Sequence, residues 1–301
     1  MKIFITGATG FIGTYVVQEL VKQNHQILCL KRESSNLQHL SHLAIEWINN
    51  NTKWQKQVIA FKPDAIFNLA WNGVSANDRT DWDVQISNIE LQQQLLNISQ
   101  ECNSKKFIGV GSQAEYGDFE CKIKENAPLN PKNAYAASKC ASLTILKTFC
   151  EINNIEWYWF RVFPIFGPLE NERWLIPSLI KNICTQDHMD LTPGEQRLPY
   201  LYVGECAKAI ISAITASNKS GIYNISSNNP ITLKELVTYI RNKINPKFNL
   251  NFGAIPYRYG QSMYMEGDTT LLRQQLYDLD TNNFEVRLNE TIQYYLNLYS
   301  K

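Results

Sequence analysis

Lys2-Ile-Phe-Ile-Thr-Gly7-Ala-Thr-Gly10-Phe-Ile-Gly13 is the stretch that decides the fold. Lys2 to Thr6 alternate too little for a half-exposed strand and suit a buried parallel one. The glycines follow a G-x-x-G-x-x-G spacing. Gly7 is placed for the tight turn, Gly10 for close backbone approach to a pyrophosphate, and Gly13 for close packing of the next helix on the sheet. That helix, expected from Phe11 to about Asn24, aims its first N–H groups at an anion. Gly7, Thr9, Gly10, Phe11, Ile12 and Gly13 are therefore candidate dinucleotide-binding residues.

Working outward, strand and helix signals alternate. Gln26–Leu30 reads as a second strand, 43–47 as a weak third, 64–70 as a fourth, 106–111 as a fifth and 156–160 as a sixth. Helices are expected at 53–61, at about 82–102 and up to about 153. Such alternation implies an α/β fold, a doubly wound parallel sheet of Rossmann type. Ligands collect at the strand C-termini where strand order reverses. After Gly167-Pro168 the rhythm breaks, with turn clusters at Thr192-Pro-Gly-Glu195 and Ser226-Ser-Asn-Asn-Pro230. A smaller mixed α/β C-terminal lobe is expected there. The expected division is 1–167 plus about 199–226 for the dinucleotide domain. About 168–198 plus 227–301 would form the substrate lobe.

The 301 residues are 44% hydrophobic and 19% charged, which suits one large α/β unit or a Rossmann unit with a smaller lobe. A formal net charge of +1 gives no global pull toward nucleic acid. No apolar run is long enough to span a bilayer, and the start leads straight into a strand without a signal peptide. Seven scattered cysteines without a C-x-x-C read as reduced thiols in a cytoplasm. The histidines at 25, 39, 42 and 188 lie away from any cysteine pair, so no metal site is expected.

Tyr135-Ala-Ala-Ser-Lys139 carries the chemistry. Tyr135 and Lys139 stand at i and i+4 on one helix face. A free phenol ionises near pH 10, about three units too high for neutral acid/base work. A nearby ammonium favours the phenolate and lowers that value. The tuned phenol can protonate a carbonyl oxygen as hydride reaches its carbon. Ser112, ending the fifth strand, can hold the same oxygen.

These segments resemble the extended short-chain dehydrogenase/reductases, in the nucleotide-sugar epimerase/dehydratase branch. The matching stretches are 6–13, Asn68-Leu-Ala70, Gly111-Ser-Gln-Ala-Glu-Tyr-Gly117, Tyr135-x-x-x-Lys139, Arg161-Val-Phe-Pro-Ile-Phe-Gly-Pro168 and Tyr223-Asn-Ile-Ser226. They cover nearly the whole chain, in the family's order. The resemblance implies a Ser112, Tyr135, Lys139 triad, with Lys139 also holding the nicotinamide ribose. It implies that Asn68, Leu69, Ala70 and Val110 flank the cofactor and that Phe163 to Ile165 border the nicotinamide. Asn88 matches a family asparagine, although a helix-stabilising hydrogen bond explains it equally well. A two-fold four-helix homodimer interface is also implied, with Leu143, Leu146 and Phe149 either in it or facing the sheet.

The second strand ends Leu30-Lys31-Arg32, where an NAD-binding fold would place an acid. Arg32 beside Lys31 suits a 2′-phosphate and points to NADP(H). Glu33 serving the ribose of NAD is the alternative. Dehydratases of the family carry Asp and Glu after the catalytic Ser/Thr, and this chain has Gln113 and Ala114 there. The loop also lacks the cysteine of GDP-fucose-synthase-like epimerase/reductases. The expectation is therefore reduction of a nucleotide-linked 4-keto-6-deoxyhexose, with an NAD-retaining 4-epimerase as the alternative. A non-catalytic NADP(H) sensor is the rival from another class; it would have no need of Tyr135 and Lys139. Arg258 resembles the family arginine on the substrate diphosphate, where a guanidinium fork suits bidentate pairing. Arg197 matches a second family arginine. Trp71 and Trp174 are candidates for stacking on base or sugar. Gln113 and Ala114 are candidates for lining the sugar pocket.

Overall fold

Successive residues of the central strands enter different cores, because both faces of the sheet are covered. The structure, a computed structural model, describes residues 1–75, 77–258 and 261–299. Seven parallel strands make the sheet: β1 (Lys2–Thr6), β2 (Gln26–Lys31), β3 (Glu46–Asn49), β4 (Ala65–Asn68), β5 (Lys106–Ser112), β6 (Glu156–Val162) and β7 (Gly221–Ile225). Their order is β7-β6-β5-β4-β1-β2-β3. Ile3 and Ile5 of β1 enter one core with Phe67, Ile108, Tyr158 and Phe160. Phe4 enters the other with Ile66, Phe107, Trp157 and Trp159. Full burial of one such side chain contributes about 1.5–3 kcal/mol.

Helix α1 (Phe11–Lys22) covers the first face through Val16, Val17 and Leu20. α2 (Trp54–Phe61), α3 (Trp82–Glu101) and α4 (Ala134–Ile152) cover the second. The expected elements are present with shifted ends. α1 stops at Lys22 and Asn24 takes a left-handed φ of 58°. The third strand begins at Glu46 rather than residue 43, because 43–45 form a turn held by Ile45 N–H donating to Leu43 O.

The second half contains α5 (Leu175–Thr185), α6 (Val203–Ile211), α7 (Leu233–Ile244), α8 (Thr270–Gln275) and α9 (Phe284–Tyr299). α6 returns to the sheet, and its Ala207 and Ile210 share the core of α1. α5, α7 and α9 enclose a separate core through Ile176, Leu179, Val237, Ile240, Leu288 and Ile292. Leu143 and Leu146 of α4 face the sheet, with Phe149 packed against the same core. The exposed apolar side chains of α3 and α4 are instead Trp82, Ile86, Ile145 and Ile152. No helix among the described residues is long and apolar enough to cross a membrane.

The chain crosses from β3 back past β1 to β4, so strand order reverses between β1 and β4. The crevice outside their C-terminal ends is the expected ligand site of an open α/β sheet.

Candidate active site

At that crevice the Thr6 hydroxyl donates to Asn68 Oδ1 at 2.9 Å, tying the end of β1 to the end of β4. A Cβ at Gly13 would lie 2.0 Å from the Gly7 carbonyl oxygen, so only glycine lets α1 start this close to the turn. Gly10 caps α1 without a side-chain hydrogen bond, and the first turn holds no acid. Thr9, Phe11 and Ile12 lie beside those N–H groups. The opening fits a pyrophosphate, because unpaired helix N–H groups and their dipole favour an anion. Leu69 and Ala70 line the opposite wall, against Gly7.

Lys31 ends β2, with exposed Arg32 and Glu33 after it. Among the described residues neither Lys31 nor Arg32 has an ion-pair partner.

The candidate acid/base group sits at the neighbouring strand ends. Asn133 caps α4 by accepting from Ala136 N–H at 2.9 Å, which fixes Tyr135 in the first turn. Lys139 follows one turn on, and both side chains are buried. Ser112 closes β5, and its hydroxyl accepts from Ala114 N–H at 3.2 Å. Burial pushes the Tyr135 phenol up, while the neighbouring Ser112 hydroxyl and the Arg79 charge pull it down. Burial pushes the Lys139 ammonium down to about 7, against the pull of the Glu115 carboxylate. Lys139 Nζ donates to Val110 O at 2.6 Å and lies 3.5 Å from the centre of the Trp71 ring. Val110 thus acts through its carbonyl.

Trp71 is packed edge-on against Tyr135, with ring centres 6.1 Å apart. Its indole N–H donates to Gln85 Oε1 at 2.8 Å, and Gln85 Nε2 donates to Gly73 O at 2.7 Å. Asn88 completes the hold: its Oδ1 accepts from Asn72 N–H at 2.7 Å and its Nδ2 donates to Asn72 O at 3.1 Å. The Asn88 amide therefore acts on the site through the 71–73 backbone. Gln92 of α3 and Ser142 of α4 also interlock, the Ser142 hydroxyl donating to Gln92 Oε1 at 2.8 Å.

Beneath Ser112 lies an ion pair that sequence reasoning missed. Glu115 is fully buried and accepts three bonds: from Ser112 N–H at 2.9 Å, Trp159 Nε1 at 3.0 Å and Arg161 Nε at 2.7 Å. Arg161 Nη1 also donates to Glu125 O at 3.0 Å. A signal was present, because an arginine inside the apolar run Trp157-Tyr-Trp-Phe160-Arg161 requires a buried acid. Gly111 makes room for the pair: a Cβ there would lie 2.2 Å from Trp159 Nε1 and 2.3 Å from Glu115 Oε1.

Gln113 and Ala114 form a partly exposed turn above the acid. Phe163 is buried among Tyr116, Phe119 and Met265, which leaves its backbone as the part able to border a nicotinamide. Ile165 begins a two-residue strand that pairs with Leu201–Tyr202. Trp174 is 42% exposed at the N-terminus of α5. Arg197 and Arg258 are exposed residues of the second half. Arg197 lies opposite Thr232 and bridges to Tyr264, and Arg258 O accepts from Gln261 N–H at 3.1 Å. No contact joins either arginine to Tyr135 among the described residues.

A family model described as the NAD dependent epimerase/dehydratase family matches residues 3–226. The chain belongs to that family. Within this epimerase/dehydratase family of nicotinamide-dependent, nucleotide-sugar-modifying enzymes, it is similar to CDP-abequose synthase of Salmonella muenchen. Identity is 24% over 275 residues, covering 90% of each chain. It is also similar to dTDP-6-deoxy-L-talose 4-dehydrogenase (NAD(+)) of Aggregatibacter actinomycetemcomitans. That match has 26% identity over 260 residues, covering 83% of this chain and 94% of the relative. In fold it matches UDP-N-acetylglucosamine 4-epimerase from Methanobrevibacter ruminantium, with a TM-score of 0.89 and 24% identity. Coverage is 99% of this chain and 98% of that one.

Proposed function

We propose that this enzyme reduces the 4-keto group of a nucleotide-linked 4-keto-6-deoxyhexose with NADPH. The observation that carries the reading is the buried pair Tyr135 and Lys139, one helical turn apart and beside Ser112, next to a turn whose residues Gln113 and Ala114 cannot move a proton. Elimination of water needs an acid and a base of its own, and neither is placed there. The relatives named for abequose synthesis and 6-deoxytalose 4-dehydrogenation support keto chemistry at such sugars.

When bound, the nicotinamide supplies the hydride. Ser112 and Tyr135 hold the carbonyl oxygen, and Tyr135 donates the proton that makes it a hydroxyl. Lys139, one helical turn on, would hold the nicotinamide ribose and supports reprotonation of the phenol. Arg258 and Arg197 take the diphosphate, and Trp174, Gln113 and Ala114 border the sugar. We assign the 2′-phosphate to Lys31 and Arg32, which have no competing ion pair among the described residues. Exposed Trp82, Ile86, Ile145 and Ile152 on α3 and α4 support a homodimer through those helices. The free cysteines support a reducing, cytoplasmic setting.

A second reading, a 4-epimerase retaining NAD, is favoured by the match to a 4-epimerase fold and by Glu33 next to Arg32. One set of assays separates the two. Net NADPH consumption with a 4-keto-6-deoxyhexose nucleotide is expected. Interconversion of C4 epimers by protein that carries NAD from purification would replace the reductase reading. Arg32→Ala is expected to weaken NADPH far more than NADH; equal losses would undo the cofactor assignment.

A further inference from the structure

Between the two halves of the site lies a cation that the mechanism above does not use. Arg79 stands in the short 3-10 turn Asp78–Thr80 that leads into α3. Its guanidinium carbon lies 4.8 Å from the centre of the Tyr135 ring and 5.7 Å from the centre of the Trp174 ring. Its Nε donates to Val74 O at 3.0 Å, which fixes the side chain from behind. No carboxylate lies within ion-pair distance of it among the described residues.

We infer that Arg79 is a positioning residue for the acid/base step, a stacked cation that holds Tyr135 in place and favours its phenolate. A guanidinium over an aromatic face is attracted to the ring, and a negative ring attracts it more strongly. The groups facing Tyr135 give it that role. On its own helix, Lys139 Nζ is 5.8 Å from the ring and is directed at Val110 O. From β5, the Ser112 hydroxyl lies beside the phenol and favours its ionised form. From the turn after β5, the Glu115 charge opposes ionisation and is itself paired with Arg161. From the β4–α3 segment, Trp71 presents an uncharged edge. Arg79 is thus the cation nearest the Tyr135 ring among the described residues. Trp174 lies against the same guanidinium, so the second half of the chain reaches Tyr135 through this arginine. The sequence assigns the tuning of the phenol to the Lys139 ammonium; the groups that pull it down in the structure are instead Ser112 and Arg79.

The inference rests on Tyr135 as the acid/base group, and its test needs no substrate. Difluorotyrosine placed at position 135 ionises well below ordinary tyrosine and is read by fluorine NMR against pH. Removing the stacked charge in Arg79→Met is expected to raise the midpoint by about 0.5 to 1 pH unit. Arg79→Lys restores most of the shift, because the charge returns without the flat fork. An unchanged midpoint in Arg79→Met, or a rise that Arg79→Lys does not reverse, overturns the inference. Absence of turnover with keto-sugar nucleotides, alongside the expected NMR shift, would instead count against the reductase reading alone.

Discussion

Replacing Glu115 by glutamine tests whether the buried ion pair carries the catalytic strand end. All three partners of the carboxylate are donors: Ser112 N–H, Trp159 Nε1 and Arg161 Nε. An amide offers one acceptor oxygen and turns an NH2 group toward the remaining donors. Arg161 would stay charged, with its side chain 2% exposed. Breaking a buried pair from one side costs about 3–5 kcal/mol, since the surviving charge loses its partner without gaining water. Glu115→Gln is therefore expected to lower stability by about that amount, measured by urea unfolding at neutral pH. Arg161→Met in the same background should recover part of the loss, with a coupling of about 1–3 kcal/mol for groups in direct contact. The charge also acts on Lys139, whose ammonium it supports. Without it the lysine gives up its proton at lower pH than about 7. A Glu115→Gln protein within about 1 kcal/mol of the parent would refute the reasoning, because one orphaned buried charge alone exceeds that.

Tyr135→Phe should retain nicotinamide-cofactor affinity within a few-fold while turnover falls by about 10²–10⁴, the usual contribution of a placed proton donor. Cofactor titration and steady-state assays check both parts, and near-parental turnover would remove Tyr135 from the chemistry. Glu170 offers a test of pH dependence. Burial pushes its carboxyl from 4.5 to about 8, and Oε2 has no hydrogen-bond partner among the described residues. Its folded value is raised, so its stabilising contribution is full below pH 4.5 and disappears as pH rises to about 8. Glu170→Gln should flatten that decline, by a few kcal/mol (roughly) across the window, in thermal or urea unfolding at several pH values. Parallel pH curves for the two proteins would show that the carboxyl is not held protonated.

The parallel sheet and the tight turn after β1 were legible because the two signals are local, whereas the strand order, and so the reversal between β1 and β4, emerges only from the pairing. Strand-length apolar runs give the sheet, and the 7, 10, 13 glycine spacing gives the turn. Tyr135, Lys139 and Ser112 were legible for the same reason, since helix spacing and a strand end place them. Glu115 was not, because its meaning depends on Arg161, 46 residues further on and on another strand. Gln85 and Asn88 read as ordinary polar helix residues until α3 is laid against the 71–73 backbone. Arg79 lies in a polar turn that gives no periodic cue, and its two aromatic neighbours come from α4 and from the start of α5.

The missing Cβ at Gly111 has a practical consequence for anyone redesigning this pocket. Positions 111, 115, 159 and 161 form a closed set, so a larger residue at 111 evicts the acid, and exchanging the acid strands the arginine. Neighbouring Gln113 and Ala114 belong to no such set. If Gln113 and Ala114 border the sugar as proposed, they can be exchanged while the buried foundation under Ser112 is left as it stands.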